Sequence, residues 1–371
     1  MRGRAVQPIV IAAGGTGGHF FPAEALAAAL IARGRRVALM TDARSGGLDS
    51  AVFARRETYT LSGAGIAGRG AMKAARAAVS LAAGVFQARA ILARIGAAAV
   101  VGFGGYPSVA PVLAARLIQR RPTLILHEQN AVLGRANRFL ALRADRLALS
   151  FATTERVPAT AITQFVGNPV RPAIAALADR PYTPPADKIH LLILGGSLGA
   201  RVFSDVVPQA VAALPEPLRG RIRITQQCRA EDIDRVRAAY LAAGIEASLS
   251  TFFTDIAERL GSAHLVIARA GASTIAELAV AGRPAILVAL PSAIDDHQTA
   301  NARALAASGA AWPMPQAGFT PASLTAQLLH RLADPAGLAA ASNAARAQAR
   351  VDAADRLADL VEQLMHQERM A

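Results

Sequence analysis

The chain has 371 residues, enough for two domains that each enclose a hydrophobic core. Its single cysteine excludes an internal disulfide framework and fits a reducing cytoplasm, and no apolar run approaches the ~20 residues that span a bilayer. The formal charge of +14 comes almost entirely from arginine. This charge reflects either a compositional bias or an anionic partner: a membrane surface, a phosphate-bearing substrate or, least favoured, a nucleic acid.

Short apolar runs alternate with helical patterns along the whole chain, which predicts an α/β protein with parallel sheets flanked by helices. In the first half, we expect strands at 9–13, 37–40, 98–101, 123–126, 146–149 and near Phe165, and helices at 23–33, 72–94, 109–119 and 131–142. In the second half, we expect strands at 189–194, 222–225, 265–268 and 285–288. Proline-rich stretches between the halves place the domains at 1–168 and 169–350, with a helix at about 351–371 that packs back on the first domain.

The first predicted strand ends in a glycine-rich turn, Gly14-Gly15-Thr16-Gly17-Gly18, which is followed by His19. Glycines between a buried strand and a helix let backbone N–H groups approach a phosphate closely. The spacing does not match G-x-G-x-x-G, but a nicotinamide enzyme stays open because Asp42 could contact a ribose. An imidazole at the start of a helix can act as a general base near neutral pH, so His19 is the first candidate catalytic residue.

Two further glycine-rich turns follow predicted strands. The sequence GFGGYPS at 102–108 predicts a second anion site in the first domain. The sequence GGSLGA at 195–200 follows the strand at 189–194. One such turn is a weak signal, but the turns at 14–19 and 195–200 lie about half a chain apart. Together they predict two Rossmann-like domains that face each other across a cleft.

Polar residues also follow two other predicted strands. His127-Glu128-Gln129-Asn130 stands where α/β sheets place their ligands, which makes Glu128 a second candidate for proton transfer, unless Asn130 merely caps the next helix. In the segment at 269–277, the N–H groups and hydroxyls of Ser273 and Thr274 suit a diphosphate, and Glu277 suits a ribose diol. Thr274 and Glu277 also have the spacing of a capping box.

The remaining polar and amphipathic segments carry weaker signals. The residues Asp295, Asp296 and His297, and the pair Asp232 and Asp234, match no strong metal motif, so we expect no metal site. The segment at 66–92 mixes apolar residues with arginines and a lysine. It predicts either an amphipathic helix on anionic lipid or ordinary core packing.

Taken together and in this order, the motifs resemble those of the MurG family of glycosyltransferases over essentially the whole chain. The most specific stretches are 14–19, 127–130, 168–171, 195–200, 269–277 and 295–301. The resemblance implies a GT-B fold and transfer of GlcNAc from UDP-GlcNAc to lipid I, undecaprenyl-pyrophosphoryl-MurNAc-pentapeptide. The transfer inverts the anomeric centre and gives lipid II with a β-1,4 link, in peptidoglycan synthesis and cell wall biogenesis.

The resemblance also implies site residues, partners and a location. His19 matches the base for the acceptor hydroxyl. Donor contacts carry over to Thr16, Gly17, Gly18, Asn130, Arg171, Ser197, Phe253, Ala272, Ser273, Thr274, Ile275, Ala276, Glu277 and Gln298. The acceptor pyrophosphate carries over to Gly102, Gly104, Gly105 and Tyr106. No cofactor is implied; the expected location is the cytoplasmic face of the inner membrane, peripherally bound, with cell-wall synthesis and division proteins as further partners.

Two positions depart from the family pattern, since Phe253 stands where isoleucine is common and Ala270 where serine is common. Three alternatives stay open. Another UDP-sugar enzyme of similar fold, such as a UDP-GlcNAc 2-epimerase, needs no lipid acceptor and leaves the loop at 102–106 without a role. A nicotinamide dehydrogenase leaves the second glycine turn without a role. A basic binding protein without catalysis leaves the polar clusters at strand ends without a role.

Overall fold

The computed structural model describes residues 7–15, 17–42, 50–62, 71–196 and 199–370. The chain divides into two compact units, one formed by Met1–Arg171 with Asp352–Ala371 and the other by Pro172–Val351. The division falls after Arg171, whereas the sequence suggests a boundary after Asn168. Each unit is a parallel sheet flanked by helices, as the alternation of apolar runs and helical patterns predicts.

In its described part, the first unit contains a seven-stranded parallel sheet in the order β3-β2-β1-β4-β5-β6-β7. In chain order, the strands β1 to β7 are Ile9–Ala12, Val37–Asp42, Glu57–Leu61, Ala99–Gly102, Thr123–Glu128, Arg146–Leu149 and Thr163–Phe165. The strand order reverses between β1 and β4, which pair directly. Ligands of doubly wound sheets bind at the carboxyl edge beside such a switch point. A ligand site is therefore expected at the turns that follow β1 and β4.

Helices cover both faces of this sheet. The helices α1 to α4 are Gly17–Ala32, Ala71–Ile95, Gly105–Ala115 and Arg135–Leu140. Successive strand residues point to opposite faces. Thus Ile9 and Ile11 of β1 pack with Leu26 of α1, while Val10 packs with Leu92 of α2 on the other side. Strands that are buried on both faces need continuous apolar runs. Accordingly, β1 and β4 carry no polar side chain, and β5 is mostly hydrophobic.

The second unit repeats this plan with a six-stranded parallel sheet in the order β10-β9-β8-β11-β12-β13. The strands β8 to β13 are Ile189–Leu194, Ile222–Gln227, Glu246–Ser250, Leu265–Ala268, Ala285–Leu287 and Ala311–Pro313. The helices α5 to α13 are Pro172–Ala175, Arg201–Ala212, Glu216–Arg219, Ile233–Ala242, Ile256–Ser262, Ala272–Ala281, His297–Ala306, Pro321–Leu332 and Pro335–Gln348. Here the order reverses between β8 and β11, so the turns after these strands form the corresponding candidate site.

The last helix, α14 (Ala353–Met370), belongs to the core of the first unit. Leu357 and Val361 are fully buried in the same hydrophobic cluster as Leu26 of α1. Arg33, just after α1, pairs with three carboxylates of α14, those of Asp355, Asp359 and Glu362. Apolar packing and these ion pairs together attach the end of the chain to the first unit.

Within the described residues, the stretch Ala75–Ile95 of α2 is long and apolar enough to cross a membrane, judged by length and composition alone. The sequence has no uninterrupted apolar run of this length in α2, because arginines interrupt the stretch. One face of the helix, with Ala88 and Leu92, is buried in the core. The opposite face exposes Val79 and Phe86, which are 70% and 67% accessible. Core packing is therefore correct for one face of α2 and wrong for the other.

Candidate active site

The first glycine turn leads from β1 into α1. Gly15 has a φ of +86°, a conformation that favours glycine, and α1 begins two residues later at Gly17. A Cβ on Gly17 would lie 2.7 Å from Cε2 of Phe21, so a side chain at this position would displace the Phe21 ring. His19 is half-buried in the first turn of α1. Thr16, one of the residues expected to contact the donor, lies outside the described residues.

The turn after β4 lies next to the first one, because β1 and β4 are neighbouring strands. Gly104, which precedes α3, and Gly105, its first residue, have φ values of +79° and +65°. The position that a Cβ on Gly105 would take is 3.5 Å from both Cδ2 and Nε2 of His19. A Cβ on Gly102 would lie 3.0 Å from Cδ2 of Leu126. Gly105 thus lets the backbone approach the His19 ring closely, while Gly102 lets it approach Leu126.

Glu128 ends β5 and is buried, and its two carboxylate oxygens accept four hydrogen bonds. Oε1 accepts from the backbone N–H and the side-chain Nδ2 of Asn130, both at 3.0 Å. Oε2 accepts from the backbone N–H of Gly134 at 3.0 Å and from Nδ2 of Asn137 at 2.9 Å. Glu128 thus fixes the loop between β5 and α4. The alternative that Asn130 caps α4 is wrong, because the residue before this helix is Gly134.

His19 is hydrogen-bonded to the end of β5 through Gln129. Nδ1 of His19 lies 3.0 Å from Oε1 of Gln129, whose Nε2 lies 3.0 Å from Nδ1 of His127. Nε2 of His127 lies 3.0 Å from the carbonyl oxygen of Gly167. The first unit therefore brings together His19, the glycines after β4 and the polar end of β5, as the parallel order of their strands predicts.

Arg171 lies next to the same region of the first unit. Its guanidinium lies over the ring of Phe21, with Cζ 4.5 Å from the ring centroid. Phe21 is two residues after His19 on α1. The charge of Arg171 is therefore held beside the helix that carries the candidate base.

In the second unit, the glycine turn after β8 leads into α6. A Cβ on Gly195 would fall against the backbone nitrogen of Ala200 and 2.8 Å from the carbonyl carbon of Gly199. Gly196 and Gly199 have φ values of +83° and +65°. The backbone is thus folded on itself at this turn, and only glycine fits. Ser197, an expected donor contact, lies outside the described residues.

Helix α10 begins directly after β11, at the strand switch of the second unit. Its first residue is Ala272, and Gly271 precedes it in an extended conformation. Among the described residues, no side chain caps this helix. The capping-box alternative for Thr274 and Glu277 is therefore wrong, because Thr274 lies inside the first turn rather than before it. The first-turn N–H groups of Ala272, Ser273 and Thr274 belong to a helix end that favours an anion.

Other expected donor contacts of this unit lie on neighbouring loops. Phe253 is buried, with the guanidinium of Arg259 packed 4.3 Å from its ring centroid. Oε1 of Gln298 accepts from the backbone N–H of Leu290 at 3.0 Å. Arg269 donates to the carbonyl oxygens of Val288 and Ala289, and burial lowers its pKa. Arg269 thus ties the loop after β12 to the end of β11.

The acidic residues outside these clusters form no metal site within the described part of the chain, where no group of three or more His, Cys, Asp or Glu side chains could hold an ion. Asp295 and Asp296 both have positive φ values, +55° and +53°, just before α11. Asp232 is buried and pairs with Arg235 at 2.7 Å. The charged stretch at 232–234, which by its composition suggests solvated surface, thus has one buried, ion-paired carboxylate in Asp232.

Residues 9–149 match the N-terminal domain of glycosyltransferase family 28, and residues 190–357 match its C-terminal domain. A curated relative from Granulibacter bethesdensis is 63% identical over 98% of this chain and 95% of the relative. Another, from Acidiphilium cryptum, is 55% identical over 97% and 98%. Both are named UDP-N-acetylglucosamine--N-acetylmuramyl-(pentapeptide) pyrophosphoryl-undecaprenol N-acetylglucosamine transferase. The crystal structure of Acinetobacter baumannii MurG superposes with a TM-score of 0.75 at 32% identity, covering 96% of this chain and 99% of that one.

The chain belongs to the MurG family. The predicted resemblance, the GT-B fold with two Rossmann-like domains and the assignment as a glycosyltransferase are confirmed. The assignments of individual site residues stay predictions. Of the two departures from the MurG pattern, Phe253 keeps an apolar, buried side chain, and Ala270 is fully buried with its carbonyl oxygen accepting from Nδ2 of Asn301 at 3.0 Å.

Two residues at the site of this MurG-family chain have roles that sequence reasoning missed. Asn137 donates from one amide nitrogen to Glu128 and to the carbonyl oxygen of His127. No local pattern marks it, because the contact depends on α4 lying against β5. Gln129 joins His19 to His127, and its place inside the polar cluster after β5 was the available signal.

Proposed function

We propose that this protein transfers GlcNAc from UDP-GlcNAc to lipid I and so forms lipid II in peptidoglycan synthesis. The observation that carries the proposal is the 63% identity, over 98% of the chain, to a transferase named for that donor and acceptor. The geometry of the first unit supports it, because an imidazole, two glycine turns and a guanidinium lie around the strand switch.

In the proposed reaction, the C4 hydroxyl of the MurNAc unit attacks C1 of GlcNAc as its bond to the diphosphate oxygen breaks. Nε2 of His19 takes the hydroxyl proton, and UDP leaves with the bonding electron pair. Attack from the side opposite the leaving group inverts the anomeric centre and gives a β-1,4 link. General-base assistance by a positioned histidine contributes about 10²–10⁴-fold to such a step.

The leaving diphosphate needs positive charge, which we assign to backbone and arginine. The uncapped first turn of α10, with Ser273 and Thr274, supplies N–H groups and the positive end of the helix dipole. Arg171 supplies a guanidinium that can bind phosphate oxygens in a bidentate manner. The remaining proposed donor contacts are Thr16, Gly17, Gly18, Asn130, Ser197, Phe253, Ala272, Ile275, Ala276, Glu277 and Gln298.

Glu128 has a positioning role in this proposal, because four donors already occupy its two oxygens. It holds Asn130, a proposed donor contact, by both its backbone and its side chain. The turn with Gly102, Gly104, Gly105 and Tyr106 is the proposed site for the pyrophosphate of the acceptor. The positive φ values at Gly104 and Gly105 support an anion site, because such turns direct successive N–H groups toward one point.

The proposed enzyme works at an anionic membrane surface, bound peripherally on its cytoplasmic face. Val79 and Phe86 on α2 are exposed and share one helical face, since they are seven residues apart. Arg89 is exposed one turn from Phe86. A second exposed apolar pair, Phe139 and Leu142, follows on α4 and the turn after it. Apolar side chains flanked by arginines suit the boundary between headgroups and acyl chains. Of the expected binding segment at 66–92, residues 66–70 lie outside the described part.

The test is incubation of the full chain with labelled UDP-GlcNAc and a short-chain lipid I analogue, without added metal. Sugar transfer to the analogue supports the proposal, and UDP release without transfer or conversion of the donor to its 2-epimer contradicts it. His19→Ala is expected to lower kcat by about 10²–10⁴-fold while KM for UDP-GlcNAc changes little. His366→Ala, an exposed imidazole on α14, is the matched control and keeps wild-type kinetics.

A further inference from the structure

Two imidazoles of the first unit are joined by one side-chain amide, which makes a continuous chain of hydrogen bonds from His19 to Gly167. Each of the three links, His19 to Gln129, Gln129 to His127 and His127 to Gly167, is 3.0 Å long. His127 and Gln129 are 0% and 1% exposed, so water does not replace these partners. In such a chain, the nature of the last acceptor decides where every proton lies.

The chain ends on a carbonyl oxygen, which can only accept. Nε2 of His127 must therefore carry the proton that is shared with Gly167. The hydroxyl of Ser150, 3.3 Å from the same nitrogen, donates to the same carbonyl oxygen at 3.4 Å and needs no lone pair from the ring. Burial lowers the pKa of His127 to about 4, with a further decrease from the charge of His19, so the ring is neutral at pH 7. Its Nδ1 is then an acceptor.

The next link fixes the amide of Gln129. The amide nitrogen lies 3.0 Å from Nδ1 of His127 and 3.1 Å from the carbonyl oxygen of the same residue. Both of these atoms accept, so only the NH₂ end of the amide fits there. The opposite orientation would place three acceptors together in a buried site. The oxygen of Gln129 must therefore point toward His19.

That oxygen is an acceptor as well, so in neutral His19 the proton lies on Nδ1 and the lone pair on Nε2. Nε2 is the ring nitrogen that the turn after β4 approaches at Gly105. An imidazole free in water favours the opposite tautomer, with its proton on Nε2. Without an acceptor at Nδ1, the nitrogen that must take the proton would be protonated in most molecules.

We propose that Gln129 is a positioning residue that holds His19 in the tautomer needed for a general base, and that His127 orients the Gln129 amide. The proposal rests on the proposed role of His19 as the base. The other titratable group at the end of β5, Glu128, has its oxygens turned to Asn130, Gly134 and Asn137. The hydrogen bond at Nδ1 of His19 is therefore made by an amide, not by a carboxylate.

The tautomers can be read directly in the wild-type protein by nitrogen-15 NMR of the histidine rings, with His19→Ala used to assign the His19 signals. The expected result near pH 7.5 is a proton on Nδ1 of His19 and on Nε2 of His127. A proton mainly on Nε2 of His19 would overturn the proposal without any need for a variant at position 129.

The variants Gln129→Met and Gln129→Glu separate the hydrogen bond from simple packing. Gln129→Met removes the acceptor, so the His19 proton is expected to move mainly to Nε2, with kcat about 10–100-fold lower and KM for UDP-GlcNAc within about twofold. Gln129→Glu keeps an oxygen at Nδ1 of His19 and is expected to restore the Nδ1–H form and most of kcat. Where the new carboxyl is ionised, it stabilises the imidazolium form of His19. The pH at which kcat rises is therefore expected to be higher in Gln129→Glu than in the wild type.

Gln226→Met is the matched control, because Gln226 is also a fully buried glutamine with a side-chain hydrogen bond, from Tyr240, but lies in the second unit. It is expected to change stability without changing the His19 tautomer or the pH profile. A Gln129→Met variant that keeps the Nδ1–H form, or that turns over at the wild-type rate, contradicts the proposal. Full activity of His19→Ala would instead show that His19 is not the base, whereas the measured tautomer of His19 would remain valid.

Discussion

The guanidinium of Arg171 stacks on Phe21, 4.5 Å from the ring centroid, two residues beyond the candidate base on α1. A guanidinium is planar and weakly hydrated, so it can keep this stacking while its N–H groups bind a phosphate in a bidentate manner; an ammonium group has no such planar fork. We therefore expect the position of Arg171 to matter as much as its charge.

Arg171→Ala is expected to lower kcat/KM for UDP-GlcNAc by about 10–100-fold through loss of a charge-assisted contact to the leaving diphosphate. Arg171→Lys should recover little of this loss, and Phe21→Leu should cost about 2–5-fold, the value of one cation–π contact. Steady-state kinetics measure all three. Arg331→Lys serves as the control, since the Arg331 guanidinium lies over Trp312 with Cζ 4.3 Å from the ring centroid, and neither residue is a proposed donor contact. Wild-type activity in Arg171→Lys would show that stacking is not needed.

The turn after β8 should not tolerate a side chain at Gly195. A Cβ there would meet the backbone of Gly199 and Ala200, which cannot rotate away as a side chain can. Gly195→Ala is expected to displace the turn, weaken UDP-GlcNAc binding in calorimetry and destabilise the second unit by about 1–3 kcal/mol. Gly220→Ala is the matched control, because its φ is −63° and the nearest atom to an added Cβ is 3.5 Å away. Equal effects of the two substitutions would contradict the steric argument.

The exposed face of α2 makes a prediction about membranes. Phe86→Asp is expected to reduce partitioning onto vesicles that contain anionic lipid by about 10–100-fold, because insertion of one Phe side chain is worth about 1.5–3 kcal/mol. Vesicle co-sedimentation at low and high salt measures this. Leu241→Asp on α8 is the control, since Leu241 is 78% exposed in the second unit. If both variants bind vesicles as the wild type does, α2 is not a membrane contact.

Most strands that the sequence predicted are central strands of their sheets, and the exception is β7, an exposed edge strand that was expected near Phe165. The bounds at 146–149, 189–194 and 265–268 agree with the structure, because a strand inside a parallel sheet must be apolar at nearly every position. The missed strands are β3, β10 and β13, and each lies at an edge of its sheet. Edge strands have one neighbour and carry exposed polar residues, so their sequences lack the apolar run that identifies a central strand.

The helix starts show a second limit of the sequence. Residues 17–18 and 105 were interpreted as loop because they are glycines, yet α1 begins at Gly17 and α3 at Gly105. At a helix start next to the edge of a sheet, close packing of the backbone matters more than the helix propensity of the residue. For the site, His19 and Glu128 were identifiable as polar residues at strand ends. Gln129 stood in the same polar cluster, but its link to His19 and the role of Asn137 became identifiable only from tertiary contacts, because hydrogen bonds between elements leave no periodic signal.

The buried imidazole of His127 predicts that the first unit loses stability in acid. Burial lowers its pKa from the usual 6.5 to about 4, so between these values the unfolded chain binds a proton that the folded chain does not. The free energy of unfolding must therefore fall as the pH decreases from 6.5 to 4, by up to about 3 kcal/mol for this residue. His127→Gln keeps a donor for the carbonyl oxygen of Gly167 but cannot titrate, so it should remove this part of the pH dependence.

Urea unfolding at pH 7.5, 5.5 and 4.5, followed by far-ultraviolet circular dichroism, compares the wild type with His127→Gln. The chain also supplies an internal control, because its single tryptophan, Trp312, lies in β13 of the second unit. Tryptophan fluorescence should therefore report a transition whose pH dependence is the same in both proteins, since His264, whose pKa is also lowered to about 4 by burial, is unchanged there. A wild-type slope that persists in His127→Gln in the circular dichroism signal would mean that folding does not lower the pKa of His127, which contradicts the prediction.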